Sequence, residues 1–241
     1  MSDVRSRHAA CLIAAVVSVI TAHLFPSHAA RPLITDDARI VDPKSCQVEA
    51  WRRRNEDTTE YWALPGCNPT GNAEITVGGA FVREAGALHT SDVQAQVKTL
   101  FKTLEPNGWA IGLVLGYLDH KADGHRDVLG RFYSYVPASF SFANDAFVLH
   151  TNVGTLRASD ESRHRLTWGV GSETRITPNL FLVAEAFKLE RDGPHYQAGI
   201  RFWIVPNRVQ VDATIGDRIG HSNGSRWYSV GLRLLSPPFL P

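Results

Sequence analysis

Gly220-His221-Ser222-Asn223-Gly224 sets an imidazole beside a hydroxyl, with Asp217 a little upstream. Nucleophilic acyl transfer uses such a set: a carboxylate orients the ring, the ring takes the proton, and the serine attacks. The spacing argues against it. Neighbouring residues of an extended chain point to opposite faces, and Ser-Asn-Gly is ordinary turn chemistry. A lipid hydrolase using His221 and Ser222 therefore stands as an alternative, and the chain is read as not an enzyme. His120 and His125 flank Asp123, a trio with the chemistry to hold a transition metal or sense acid. Both lie in a polar, loop-like stretch, as do most of the other histidines, so exposed loop residues account for them and no metal is assigned. There is no phosphate-binding glycine motif, no CxxC and no basic groove with interleaved aromatics, so neither a cofactor nor a nucleic-acid partner is expected. A formal net charge of +1 gives no electrostatic reason for one either.

Charges are instead spread singly through segments that alternate between apolar and polar residues. In 201–216, Phe202 and Ile204, then Val209, Val211, Ala213 and Ile215, fall on one side. Arg201, then Gln210, Asp212 and Thr214, fall on the other, and Pro206-Asn207 separates the two runs. Period-two alternation specifies β-strand, and a Pro-Asn break specifies a hairpin. The same reading gives twelve strands: 45–54, 58–65, 72–84, 91–103, 108–119, 127–138, 145–157, 163–176, 180–190, 195–205, 207–216 and 226–235. No helix is found. Most runs reach the ~9–11 residues needed to cross a bilayer at a tilt, where soluble strands average ~5–6.

The connections fall into two alternating sets. Glu105–Gly108, Phe142–Asp145, Thr177–Asn179, Val205–Asn207 and the longer Cys67–Gly71 are tight. The connections near 85–90, 120–126, 158–162, 191–194 and 217–225 are longer and polar, with Asn55–Asp57 a short exception. Sorting of this kind is expected of an outer-membrane barrel, with short periplasmic turns and longer outer loops. An even strand count then brings both chain ends to the tight-turn side. Aromatics cluster near strand ends, with Phe101, Trp109 and Phe147 toward the turns and Tyr117, Trp227 and Tyr228 toward the loops, as membrane girdles require. The fold class is thus all-β: a transmembrane antiparallel up-and-down barrel of about 12 strands. A large soluble barrel or sandwich is the competing arrangement. Strand 180–190 fits least well, because Phe181, Val183 and Phe187 share a side with Glu185.

The polar faces point inward in such a barrel. Glu74, Lys98, Arg131, His150, Arg165, Glu173, Arg201, Asp212 and Arg233 are therefore the expected lumen-lining residues. Twelve strands enclose a narrow interior, and paired charges are able to close it, so a non-conducting structural barrel competes with a channel.

At the N-terminus, Arg5 and Arg7 precede the mostly apolar stretch 9–25, and Ser27-His28-Ala29 supplies small residues for cleavage. That is the pattern of a signal peptide, cut after Ala29. Export leaves Cys46 and Cys67 as an even pair at the base of the first hairpin, and a disulfide between them is expected. The chain divides into a signal peptide (1–29), an N-terminal periplasmic segment (30–44), the barrel (45–235) and a C-terminal tail (236–241).

The stretch Arg31-Pro32-Leu33-Ile34-Thr35-Asp36-Asp37-Ala38 resembles the opening of the outer-membrane barrels named for the meta-cleavage pathway of phenol degradation. The resemblance implies passage of a small, often aromatic, compound across the outer membrane. The reading that follows is a bacterial outer-membrane barrel acting as a passive channel or binding barrel for a small hydrophobic or aromatic solute. Its expected partners are outer-membrane lipids, that solute and the barrel-assembly machinery. Members of that family commonly end on an aromatic residue, whereas this chain runs on from Leu235 through Ser236-Pro237-Pro238-Phe239-Leu240-Pro241.

Overall fold

The computed structural model describes residues 31–120, 131–158, 164–189, 193–220 and 225–241. Twelve strands follow one another: β1 (Cys46–Arg54), β2 (Thr58–Cys67), β3 (Ala73–Glu84), β4 (Ala87–Lys102), β5 (Trp109–His120), β6 (Arg131–Phe142), β7 (Phe147–Ala158), β8 (Arg165–Arg175), β9 (Leu180–Lys188), β10 (His195–Val205), β11 (Val209–Arg218) and β12 (Trp227–Leu235). Each is antiparallel to its neighbours, and β1 pairs with both β2 and β12, so the sheet closes on itself. Closure removes the unpaired edges that an open sheet would expose to lipid.

Burial runs opposite to that of a soluble protein. Arg201, Arg233, His150 and Gln210 are among the most completely buried side chains. Phe101, Leu166, Val230 and Ile204 are exposed on the outside, at 70%, 70%, 57% and 56%. With no helix in the described residues to cover it, this apolar surface is what a bilayer must meet. Phe101, Trp109, Phe142 and Phe147 mark its turn-side rim, and Tyr61, Phe81, Phe132 and Tyr228 its loop-side rim.

The turns explain themselves chemically. Asn107 and Asn207 adopt left-handed φ values of 59° and 58°, which asparagine tolerates better than most residues. Gly108 N–H donates to Glu105 O, and Arg208 N–H to Val205 O, closing those turns. Cys46 and Cys67 face each other in the β1–β2 register and are joined by a disulfide.

Two boundaries differ from the sequence reading. A loop was expected at 85–90. Instead Ala85 (φ 46°) and Gly86 (φ 86°) make a two-residue turn, and β4 begins at Ala87. Paired left-handed residues are the geometry that lets a hairpin keep its twist across so short a link. The strand expected at 127–138 is found at Arg131–Phe142. Pro137 lies within it, and proline cannot donate to a ladder. Here the β5–β6 pairing skips from Ile111↔Ala138 to Val114↔Tyr135, so the missing N–H falls in a gap.

The N-terminal segment is the main correction. Expected as a periplasmic extension, residues 31–41 instead run inside the barrel. Ala38, Asp37, Val41 and Thr35 are 0–2% exposed. Ala38 packs against Leu100 and Ala110 on the inner wall. The segment leaves the barrel at 42–44, where Asp42, Pro43 and Lys44 are exposed. The C-terminal tail lies against this exit: Phe239 and Leu240 donate to Lys44 O, and Lys44 Nζ bonds Pro241 O.

Candidate functional site: a plugged lumen with an open vestibule

Alternation along each strand puts one acidic, basic or amide side chain after another into the lumen, and the 31–41 segment meets them. Glu74 accepts from Val41 N (2.7 Å) and Gln47 Nε2 (2.8 Å). Lys98 reaches Asp36 at 2.7 Å and Asp37 at 3.3 Å. Glu173 bonds both Arg201 and Arg39. His150 sits beside them, 2.8 Å from Ser139 Oγ and 3.6 Å from Glu173. Asp212 pairs with Arg31 at 2.8 Å, and Arg233 bonds Gln47 (2.7 Å) and approaches Glu49 (3.6 Å). Glu74, Lys98, His150, Glu173, Arg201, Asp212 and Arg233 therefore lie in the blocked part of the lumen. Arg131 and Arg165 stand nearer the loops. Arg131 lines the open cavity, and Arg165 is paired in register with the inward-facing Leu156.

The plug comes close to the wall because small residues leave room for it. A Cβ on Gly231 would lie 2.3 Å from Arg31 Nη2, and one on Gly169 would lie 2.5 Å from Thr35 Oγ1. The plug also resolves the odd strand. Phe181, Val183 and Phe187 are 5%, 3% and 6% exposed on the inner side of β9. Phe181 lies under the Arg201 guanidinium, 4.8 Å from it. An apolar inner face is expected where a strand backs onto packed protein instead of water.

Above the plug the lumen opens. A cavity of about 620 Å³ is floored by Arg31, Leu33, Ile34, Thr35 and Asp36 of the segment. Its wall includes Trp51 and Trp62, stacked at 5.2 Å and parallel to within 2°. Trp62 Nε1 donates to Glu60 (2.8 Å), and the Arg31 guanidinium lies 4.3 Å over Trp51. Opposite them, Tyr133 and Tyr135 stack at 6.1 Å. Tyr135 donates to Asp36 (2.9 Å) and Tyr133 to Gln96 (2.9 Å). The volume is in the range of small-molecule sites, roughly 300–1,000 Å³. A second hollow of about 760 Å³ lies on the outer wall of β3–β7, among Val77, Val97, Leu115, Tyr117 and Phe132, and faces lipid.

The sequence reading missed Arg31, Asp36, Asp37 and Arg39, which were assigned to a segment outside. It also missed Trp51 and Trp62 as inward side chains, and it placed Trp227 in an outer girdle, whereas Trp227 is 3% exposed and its Nε1 donates to Gln197. The signal was present in part: the charges of 31–39 complement the inward charges, and Trp51 shares its alternation with Gln47, Glu49 and Arg53. His221, Ser222, Asp123 and His125 lie outside the described residues, and His120 is described only in its backbone. His89, expected in a loop, lines the cavity, and His195 stacks on Phe187 at 5.6 Å. Among the described residues, no group of three His, Cys, Asp or Glu is placed to hold a metal.

A closed, twelve-stranded sheet with a polar interior and an apolar exterior is a transmembrane β-barrel of the bacterial outer-membrane type. Solved structures agree on the fold. A KdgM porin superposes with a TM-score of 0.57 at 6% identity, over 78% of this chain and 98% of that one. Another KdgM structure, in complex with disordered oligogalacturonate, gives 0.57 at 7% identity with the same coverage. A NanC porin gives 0.55 at 13% identity over 78% and 98%. No curated protein matches the chain. Over residues 17–235 the chain matches the family described as "Uncharacterised conserved protein UCP029691", and it belongs to that family.

Proposed function

We propose that the protein is an outer-membrane barrel that binds a small, partly aromatic solute in its loop-side vestibule and passes it along a lumen that the N-terminal segment closes at rest. The observation that carries this is the Trp51–Trp62 pair, held parallel at 5.2 Å in the wall of an open cavity of about 620 Å³. Stacked indoles present a flat, low-entropy surface to another ring, and Glu60, Tyr133 and Asp36 supply polar groups within the same cavity. Planar aromatics meet both demands. The resemblance of Arg31–Ala38 to the phenol-pathway barrels supports the same solute class. The KdgM porin, crystallised with oligogalacturonate, illustrates solute binding in a barrel of similar fold. The outer hollow on β3–β7 and the two aromatic rims fit acyl chains of the surrounding lipid. The expected inward residues, Glu74, Lys98, Arg131, His150, Arg165, Glu173, Arg201, Asp212 and Arg233, take the role of a lumen lining within this reading.

The test is tryptophan fluorescence of the folded protein in detergent, titrated with phenol and catechol, alongside planar-bilayer recordings. Saturable quenching that is weakened in Trp62→Ala supports the vestibule as the solute site. A flat titration with every aromatic tried, together with a silent bilayer trace after removal of the N-terminal segment, favours the non-conducting structural barrel.

A further inference from the structure

The 31–41 segment is held in a way that an added strand is not. Residues 33–41 make no backbone–backbone hydrogen bond to any described strand. Side chains of the wall bind their backbone instead. Glu185 takes two successive amides with its two oxygens, Ile34 N–H at 2.7 Å and Thr35 N–H at 2.6 Å. Asn152 accepts from Asp36 N–H (2.7 Å) and donates to Asp36 O (2.8 Å), pairing both backbone polar groups of that residue. Ser139 takes Ala38 N–H, and Glu74 takes Val41 N–H. Gln197 and Asn68 donate to the carbonyls of Pro32 and Val41. The side chains of the segment are read as well, with Lys98 between Asp36 and Asp37 and Asp212 on Arg31.

Buried polar groups cost free energy unless they are satisfied. A wall that places this many acceptors and donors against the backbone of one segment is a peptide-binding site, and here the peptide is tethered. We infer that the barrel lumen is a receptor for a peptide of the type Arg-Pro-apolar-apolar-Thr-Asp-Asp, occupied by the chain's own residues 31–41 as a displaceable ligand. The site adjoins the vestibule, whose floor Arg31, Thr35 and Asp36 of the same segment form. Its ligand class is set by two features: an acidic pair that reaches Lys98, and a leading arginine that reaches Asp212 and lies over Trp51. The tether is the exposed stretch 42–44, so the segment can be severed without touching a strand.

The experiment uses the folded full-length protein with a protease site placed across Asp42–Lys44, cut after folding in detergent. The expected result is that the cut segment co-elutes with the barrel in gel filtration. A labelled peptide with the sequence of residues 31–42 should then exchange into the lumen, read by fluorescence anisotropy. The same peptide carrying Asp36→Asn and Asp37→Asn should bind at least tenfold more weakly, and a scrambled peptide should not bind. The inference is overturned if the cut segment leaves an intact barrel at once and the labelled peptide does not bind. It is equally overturned if the barrel unfolds on cutting, or if the Asn-substituted and native peptides bind alike. None of these readouts involves a solute or a current, so they are separate from the test of the channel reading.

Discussion

The two ends of the lumen are built from the same twelve strands and do opposite things. Toward the tight turns the inner wall carries Glu74, Lys98, His150, Glu173, Arg201 and Arg233, each engaged with the plug or with a neighbouring side chain. Toward the loops it carries Trp51, Trp62, Tyr133 and Tyr135 around open space. Alternation along the strands is identical in both. The difference is that one set of side chains satisfies a peptide and the other leaves ring faces available. A charge-lined wall is stable in the membrane interior only when its charges are matched. An aromatic wall carries no such demand and can wait for a ligand.

The comparison breaks most visibly if the plug is removed. Deleting residues 31–41 alone is expected to turn a barrel that is silent in planar bilayers into one with steady ion conductance. A silent deletion variant with native heat-modifiability on gels would mean that the plugged end is closed by its wall alone.

Next in size is Lys98→Met. It leaves Asp36 buried without its cation, while Asp37 keeps Arg39 at 3.6 Å, and removing one partner of a buried pair costs about 3–5 kcal/mol. The penalty falls on the closed state, so the segment should become sensitive to protease and bilayer traces should show openings. Adding Asp36→Asn and Asp37→Asn should restore closure, because the buried charges are then gone. A triple variant no tighter than Lys98→Met would show that the contact matters through packing alone.

Gly231→Val is expected to act on the same contact from the other side. A branched side chain there collides with the Arg31 guanidinium, where even a Cβ would come within 2.3 Å. The leading end of the plug should lift, exposing Arg31 to dicarbonyl labelling and raising conductance noise while the barrel fold persists. Unchanged labelling would mean that Arg31 finds a second position.

The smallest effects belong to the open end. Trp62→Ala removes one half of the stacked pair, worth about 0.5–1.5 kcal/mol beyond burial. Solute quenching should weaken by roughly threefold to tenfold on that scale, with the plug's protease resistance unaltered. Loss of resistance would show that the two ends are coupled through Arg31, which touches both.

Much of this architecture was legible from residue order. Strand alternation in 201–216 predicted both the hairpin and the inward placement of Arg201 and Asp212, because period two needs no knowledge of neighbours. The Cys46–Cys67 pairing followed from their symmetric places about the Asn55–Asp57 turn. Whether Pro137 costs anything depends on whether a partner strand needs its N–H, and only the β5–β6 register shows that it does not. Phe181 looked misplaced for the same kind of reason: its inner face meets Arg201, not water, while Phe187 lines the vestibule and packs against His195 and Trp227.

What the residue order determined on its own is the existence of a barrel, its strand count and which side chains face in, since these rest on local alternation and turn chemistry. What only the tertiary structure decided is that residues 31–41 enter the lumen and split it into a sealed half and an open half. Nothing local to Arg31–Val41 distinguishes a free tail from a plug. The choice depends on whether Glu185, Asn152, Ser139 and Glu74, drawn from four strands far apart in the chain, converge at the spacing of its peptide units.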